Sequence, residues 1–179
     1  PTTSSAVVYS RDDQVAGALA ARLVAMADAP DLIARGVDPA QLAAALRTAL
    51  LGCDALVHCA AVYAFGAARA PEVDRVNTEG TRIVLEAAAA AGVSRAVVTT
   101  SSVTRGSSLL PRARSERETL GAEPAPAYYA SKVAQEHYAS AWVRQAGARA
   151  VALRYHNVYG PGMPRYAPYS GVAALFRSS

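Results

Sequence analysis

The sequence predicts an α/β fold, a doubly wound parallel sheet with helices on both faces. Three observations predict it. Helix-like and strand-like segments alternate along the chain. Each of three alanine- and leucine-rich helical stretches ends at a glycine. A short apolar run follows each glycine within a few residues. Strands that alternate with helices pair in parallel through right-handed crossovers, and short apolar runs of this kind read as strands buried on both faces.

The elements follow in order. Residues 6–9 (Ala-Val-Val-Tyr) and 32–34 (Leu-Ile-Ala) read as strands, with a helical stretch over residues 13–28 between them. Residues 39–51 read as the next helix, which stops at Gly52 and leads to a strand at residues 55–58. Residues 71–91 run to Gly92 and a strand at 96–99, and residues 128–146 run to Gly147 and a strand at 150–153. Glycine just beyond a helix supplies the left-handed conformation that ends it. Residues 105–126 are rich in Ser, Arg, Pro and Glu and lack a helical period. They read as a long surface loop of the sort that covers active sites in α/β enzymes. After Tyr159 the chain passes through Gly-Pro-Gly-Met-Pro to a short helix-like stretch from residue 172.

Composition narrows the function classes. A chain of 179 residues with 52% hydrophobic residues is expected to form one soluble domain with a sizeable core. No apolar run reaches the ~18 residues that a membrane span needs, and no basic-then-apolar signal segment opens the chain. The net charge of +4 is spread through the chain without a basic cluster, so neither a nucleic-acid surface nor a membrane surface is expected. Cys53 and Cys59 have no metal-ligand spacing around them and read as small buried residues in a reducing compartment, the cytoplasm. No metal site is expected. The lone Trp142 reads as core.

In doubly wound folds ligands bind beyond the carboxyl ends of the strands, so the residues just after each strand carry the chemical information. Of the 18 basic side chains only Lys132 is a lysine, and Tyr128 stands four residues before it. That spacing puts the two on one helix face, one turn apart. An ammonium beside a phenol favours the phenolate and would lower its pKa from ~10 towards neutrality, giving a group that can take a proton from an alcohol or return one. With nine tyrosines in the chain, chance alone would produce the pair in about one arrangement in twenty, so its context decides. The strand at 96–99 runs into Thr99-Thr100-Ser101-Ser102, which puts hydroxyls where a substrate would lie. A serine there can stabilise charge developing on a reacting oxygen, while the same hydroxyls could equally cap the turn.

Together these motifs resemble the extended short-chain dehydrogenase/reductase superfamily, in particular its NAD-dependent nucleotide-sugar epimerase/dehydratase members. The likeness is carried by Thr99-Thr100-Ser101-Ser102, by Tyr128-Tyr129-Ala130-Ser131-Lys132 with Glu136 four residues on, by Val57-His58-Cys59-Ala60-Ala61, by Asn77-Thr78-Glu79-Gly80-Thr81, and by Leu153-Arg154-Tyr155-His156-Asn157-Val158-Tyr159-Gly160-Pro161. It is closest over residues 50–179. It implies a Rossmann-like domain over residues 1–160 and the start of a substrate lobe at 161–179. Tyr128 would exchange a proton with a sugar hydroxyl, Ser101 would hydrogen-bond that hydroxyl, and Lys132 would hold the nicotinamide ribose. Arg11, Asp38, Cys59, Ala60, Ala61, Tyr63, Asn77, Thr99, Tyr155 and His156 would line the cofactor, and Ser101, Ser102 and Asn157 the substrate.

The resemblance also bears on the reaction. Dehydratases and decarboxylases of this family carry an acidic residue one or two positions after the catalytic Ser/Thr, and here those positions are Ser102 and Val103. That leaves 4-epimerisation of a nucleotide sugar, by hydride removal and return at C4, ahead of ketone reduction. A non-catalytic Rossmann-like binding module is a third reading. The cofactor would be NAD, with NADP open, because Ser10-Arg11-Asp12-Asp13 offers both an arginine for a 2′-phosphate and carboxylates for a 2′-hydroxyl. The family's opening strand, glycine-rich turn and helix find no match, so the resemblance implies a chain truncated at both ends that binds dinucleotide weakly alone. It also implies a homodimer of the full-length protein, formed through the helices after Pro71 and after Tyr128.

Overall fold

The computed structural model describes residues 36, 38–105, 117, 126–156 and 158. The strands expected at 6–9 and 32–34, the helices expected at 13–28 and from 172, nearly all of the 105–126 loop, Arg11, Asn157 and the segment 161–179 lie outside the described residues. Helix α1 spans Pro39–Leu50, capped by Asp38, whose carboxylate accepts from the Ala40 backbone N–H at 3.1 Å. Proline at N1 suits this start, since its fixed φ is helical and its missing N–H would have no partner there. Strand β1 is Ala55–His58. A 3₁₀ turn at Ala67–Arg69 opens a continuous helical stretch made of α2 (Ala70–Val73), a π-helical segment (Asp74–Glu79) and α3 (Gly80–Ala90). Strand β2 is Arg95–Ser101, followed by a 3₁₀ turn at Ser102–Arg105. Helix α4 is Ala127–Ala146 and β3 is Arg149–Tyr155.

The strands form a parallel sheet in the order β1-β2-β3, in a register that places Val57 beside Val97 and Val97 beside Val151, and ends with Ser101 beside Tyr155. The three glycines expected to end helices do so, with φ of 75° at Gly52, 80° at Gly92 and 60° at Gly147. Such φ values cost a residue with a Cβ about 1–2 kcal/mol.

Both crossovers advance in the same sense across the sheet, so right-handed connections place their helices on one face. Leu56, Ala96 and Val98 point into that face, and Leu42, Leu46, Leu50, Ile83, Val84, Leu85, Ala139 and Trp142 complete the core behind it. The four-residue spacing of Leu42, Leu46 and Leu50 lines one side of α1, which packs on α3. Trp142 is a core residue, as expected.

One expectation is corrected here. The strands are not buried on both faces among the described residues: Val57 is 56% and Val151 55% exposed, on the face opposite the helices. No helix among the described residues is long and apolar enough to cross a membrane.

Candidate active site

At the carboxyl end of β2 successive residues turn to opposite faces. Thr100 points into the helical layer, where its hydroxyl donates to Glu136 Oε1 at 2.9 Å. Glu136 also forms a two-pronged ion pair with Arg154 of β3, at 2.8 and 2.6 Å. This cluster ties α4 to both strands, and burial of its carboxylate is offset by Arg154 and Thr100, which hold its pKa below the usual range. Ser101, one residue on, lies close enough to the Tyr128 side chain to favour its ionised form.

Helix α4 buries Tyr128, Ser131, Lys132, Gln135, Ala139 and Trp142, a spacing of three and four that keeps one stripe inward. Tyr128 and Lys132 therefore share a face, with the ammonium 5.6 Å from the phenol ring centroid, within cation–π range. Lys132 Nζ donates to Gln135 Oε1 at 2.9 Å and to the Thr99 carbonyl at 3.4 Å. Burial pushes its pKa down to about 8. The expected lowering of the Tyr128 pKa is not found. Burial holds the phenol above its ordinary value, with Ser101 pulling the other way. The physical reason is that Tyr128 sits under an aromatic cover, with ring centroids of Tyr63 at 4.9 Å and Phe65 at 5.3 Å. The hydrogen bonds of the ammonium go to Gln135 and to the Thr99 carbonyl.

Asn77 explains how the loop after β1 is held. It is fully buried, in the π-helical segment. Its amide accepts from the Val62 N–H at 2.7 Å and donates to the Val62 carbonyl at 3.0 Å and to Ser131 Oγ at 3.0 Å. Its place is thus behind the Cys59–Tyr63 loop, clamping it. Cys59 and Ala61 are exposed and Ala60 half-buried, at the carboxyl end of β1. Thr99 donates to the His58 carbonyl at 3.2 Å, linking β2 to β1. Tyr155 and His156 are exposed at the end of β3, Ser102 starts the 3₁₀ turn, and Asp38 caps α1. Of the anticipated residues, the structure gathers Ser101, Tyr128, Lys132, Thr99, Asn77 and Tyr63.

Some residues of this site were missed in the sequence. Phe65 joins Tyr63 over the phenol; Gln135, Thr81 and His58 form a buried chain behind the ammonium. The inward period of α4 was the available signal for Gln135. A nicotinamide ribose fits the donor set: two of the three ammonium protons have partners, and the small residues Cys59–Ala61 leave room for close approach.

The sequence matches the NAD dependent epimerase/dehydratase family over residues 16–178. A dTDP-L-rhamnose 4-epimerase of Burkholderia thailandensis is 41% identical over 71 residues, 40% of this chain and 19% of that protein. The double mutant of DesIV, a dTDP-glucose 4,6-dehydratase of Streptomyces venezuelae solved with NAD and DAU bound, is 32% identical with a TM-score of 0.64, covering 76% of this chain and 41% of that one. The UDP-N-acetylglucosamine 4-epimerase of Methanobrevibacter ruminantium M1, solved with UDP-N-acetylmuramic acid, is 25% identical with a TM-score of 0.65, covering 74% and 43%. The chain thus spans under half the length of these solved relatives. With its parallel sheet, Rossmann-like neighbours and a match over most of its length, the chain belongs to the NAD dependent epimerase/dehydratase family.

Proposed function

We propose that this chain carries the proton-transfer centre of a nucleotide-sugar 4-epimerase acting on a UDP- or dTDP-hexose with NAD. The observation that carries the reading is the convergence of Ser101, Tyr128 and Lys132 at the carboxyl ends of β1 and β2. Supporting it are the family match and the 4-epimerases among its relatives. Bound NAD would supply reversible hydride acceptance at a sugar carbon. The chain's own groups hold and move protons. Tyr128 would take the proton of the C4 hydroxyl as hydride leaves that carbon and return it to the 4-keto oxygen as hydride comes back; Ser101 favours the phenolate against the burial that opposes it. Ser101 holds the same oxygen in line. Cys59, Ala60, Ala61, Tyr63, Thr99, Tyr155 and His156 line the cofactor side, Asn77 supports it, and Asp38 and Arg11 belong to its adenosine end. Ser102 and Asn157 belong to the sugar nucleotide, and residues 161–179 begin the substrate lobe.

Dehydration is disfavoured because Ser102 and Val103 put no carboxylate beside the sugar, and Glu136 is committed to Arg154 and Thr100. We further propose a homodimer of the longer protein through the helices after Pro71 and after Tyr128, and a cytoplasmic setting. The test is an assay of the longer protein with UDP- and dTDP-hexoses. Epimers should form without net NADH production, and Tyr128→Phe should lower kcat by about 10²- to 10⁴-fold. Stoichiometric NAD(P)H consumption would instead identify a reductase.

A further inference from the structure

Behind the candidate site lies a line of buried polar side chains that the proposed chemistry does not use directly. Thr81 and Gln135 are fully buried, His58 is 4% exposed and Lys132 3%. The hydroxyl of Thr81 meets three neighbours: it donates to the Asn77 carbonyl at 2.6 Å, Gln135 Nε2 lies at 2.8 Å, and His58 Nε2 lies at 2.8 Å. A hydroxyl has one proton and two lone pairs. A carbonyl can only accept, so the Thr81 proton belongs to Asn77. The other two neighbours must therefore donate. His58 carries its proton on Nε2, and Gln135 turns its NH₂ towards Thr81. The carbonyl of Gln135 is then left facing Lys132, where its Oε1 accepts from Nζ at 2.9 Å. The opposite amide orientation would set an acceptor against filled lone pairs and an NH₂ against an ammonium. With every member buried, neither mismatch has water to relieve it.

We propose that Gln135 is a positioning residue for Lys132, and that Thr81 and His58 fix which end of the Gln135 amide faces the ammonium. The titratable groups facing Lys132 are His58 of β1, Cys59 of the following loop and Tyr128 of its own helix; β2 presents only the Thr99 carbonyl. His58 stays neutral through the ordinary pH range because burial, then the charge of Lys132, push its pKa down to about 4. It therefore donates from Nε2 without placing a second cation beside the first. An acceptor oxygen 2.9 Å from Nζ favours ammonium over amine and opposes the burial that favours the amine. The Gln135 oxygen thus helps Lys132 keep its charge against the burial that lowers its pKa.

This inference rests on the proposed epimerase reading only for what the ammonium does in turnover. Its test needs no substrate, so failure of one is separate from failure of the other. Lys132 is the one lysine in the chain, so [ε-¹³C]lysine gives one side-chain signal whose shift can be titrated directly, with circular dichroism at each pH to confirm folding. The parent chain should titrate near 8. Gln135→Leu should lower the midpoint by about one unit and Gln135→Glu should raise it by at least as much. Thr81→Val, which removes the hydroxyl at similar volume, should move it in the same direction as Gln135→Leu but by less. A folded Gln135→Leu variant that titrates with the parent would overturn the proposal. If that variant does not fold, unchanged midpoints in both Gln135→Glu and Thr81→Val would do the same.

Discussion

Lys132 sits where burial works against its charge, and this makes it the residue whose titration matters most. It is charged below about 8 and loses its proton as pH rises through that value. In the longer protein, kcat/KM should therefore fall on the alkaline side with a limb near 8, and Lys132→Arg, which stays charged, should remove that limb even where it lowers the maximum. A pH–rate profile of both proteins checks this. His58 has a stability consequence. Its folded pKa of about 4 lies below the unfolded 6.5, so between those values the unfolded chain binds the extra proton and stability falls as pH is lowered from 6.5 towards 4. The contribution is on the order of 3 kcal/mol at most. His58→Gln keeps an N–H donor without the titration, and should flatten the acid limb of urea midpoints measured between pH 4.5 and 7. The Tyr128–Lys132 pair and Ser101 were legible in the sequence because a helix repeat and a strand end are local features. The contact between Gln135 and Thr81 was not, since they meet across a separation of 54 residues. The state of the phenol was misjudged because Phe65 and Tyr63, which bury it, reach Tyr128 only through the fold.

Among the elements, the helix ends test most simply. Gly147 has φ 60° and no neighbouring atom within 4 Å of a would-be Cβ, so Gly147→Ala should cost only backbone strain, about 1 kcal/mol by chemical denaturation. Leu46→Ala in α1 should cost about 2–5 kcal/mol, because Leu46 is 3% exposed and packed in the core. An unchanged denaturation midpoint in either variant would contradict the placement of that element. The helix stops and the strands after them were readable from glycine spacing, to within a residue or two of the observed ends. The π-helical segment Asp74–Glu79 was not readable. Its sequence is compatible with an ordinary α-helix, and what distinguishes it is that it delivers Asn77 to Val62 and Ser131. Wide turns of this kind often accompany sites, but their signature is the contact they make.

For the sheet, parallel pairing followed from the alternation of helices and strands, and among the described residues the helices lie on one of its faces. On the sheet's other face Val57 and Val151 are more than half exposed. The proposed centre depends on the same topology, since β1, β2 and α4 bring Ser101, Tyr128 and Lys132 together only when the strands run parallel. The proposed chemistry makes a definite demand on that centre: hydrogen leaves C4 of the sugar as hydride and returns to it, while only the oxygen-bound proton passes through Tyr128. Carbon-bound hydrogen should then never mix with water. The direct measurement is epimerisation of a C4-deuterated UDP- or dTDP-hexose by the longer protein in ordinary water, read by mass spectrometry and NMR of the product. Retention of deuterium at C4 of the epimer is the predicted result; its loss to solvent would show proton abstraction at carbon and contradict the role given to Tyr128.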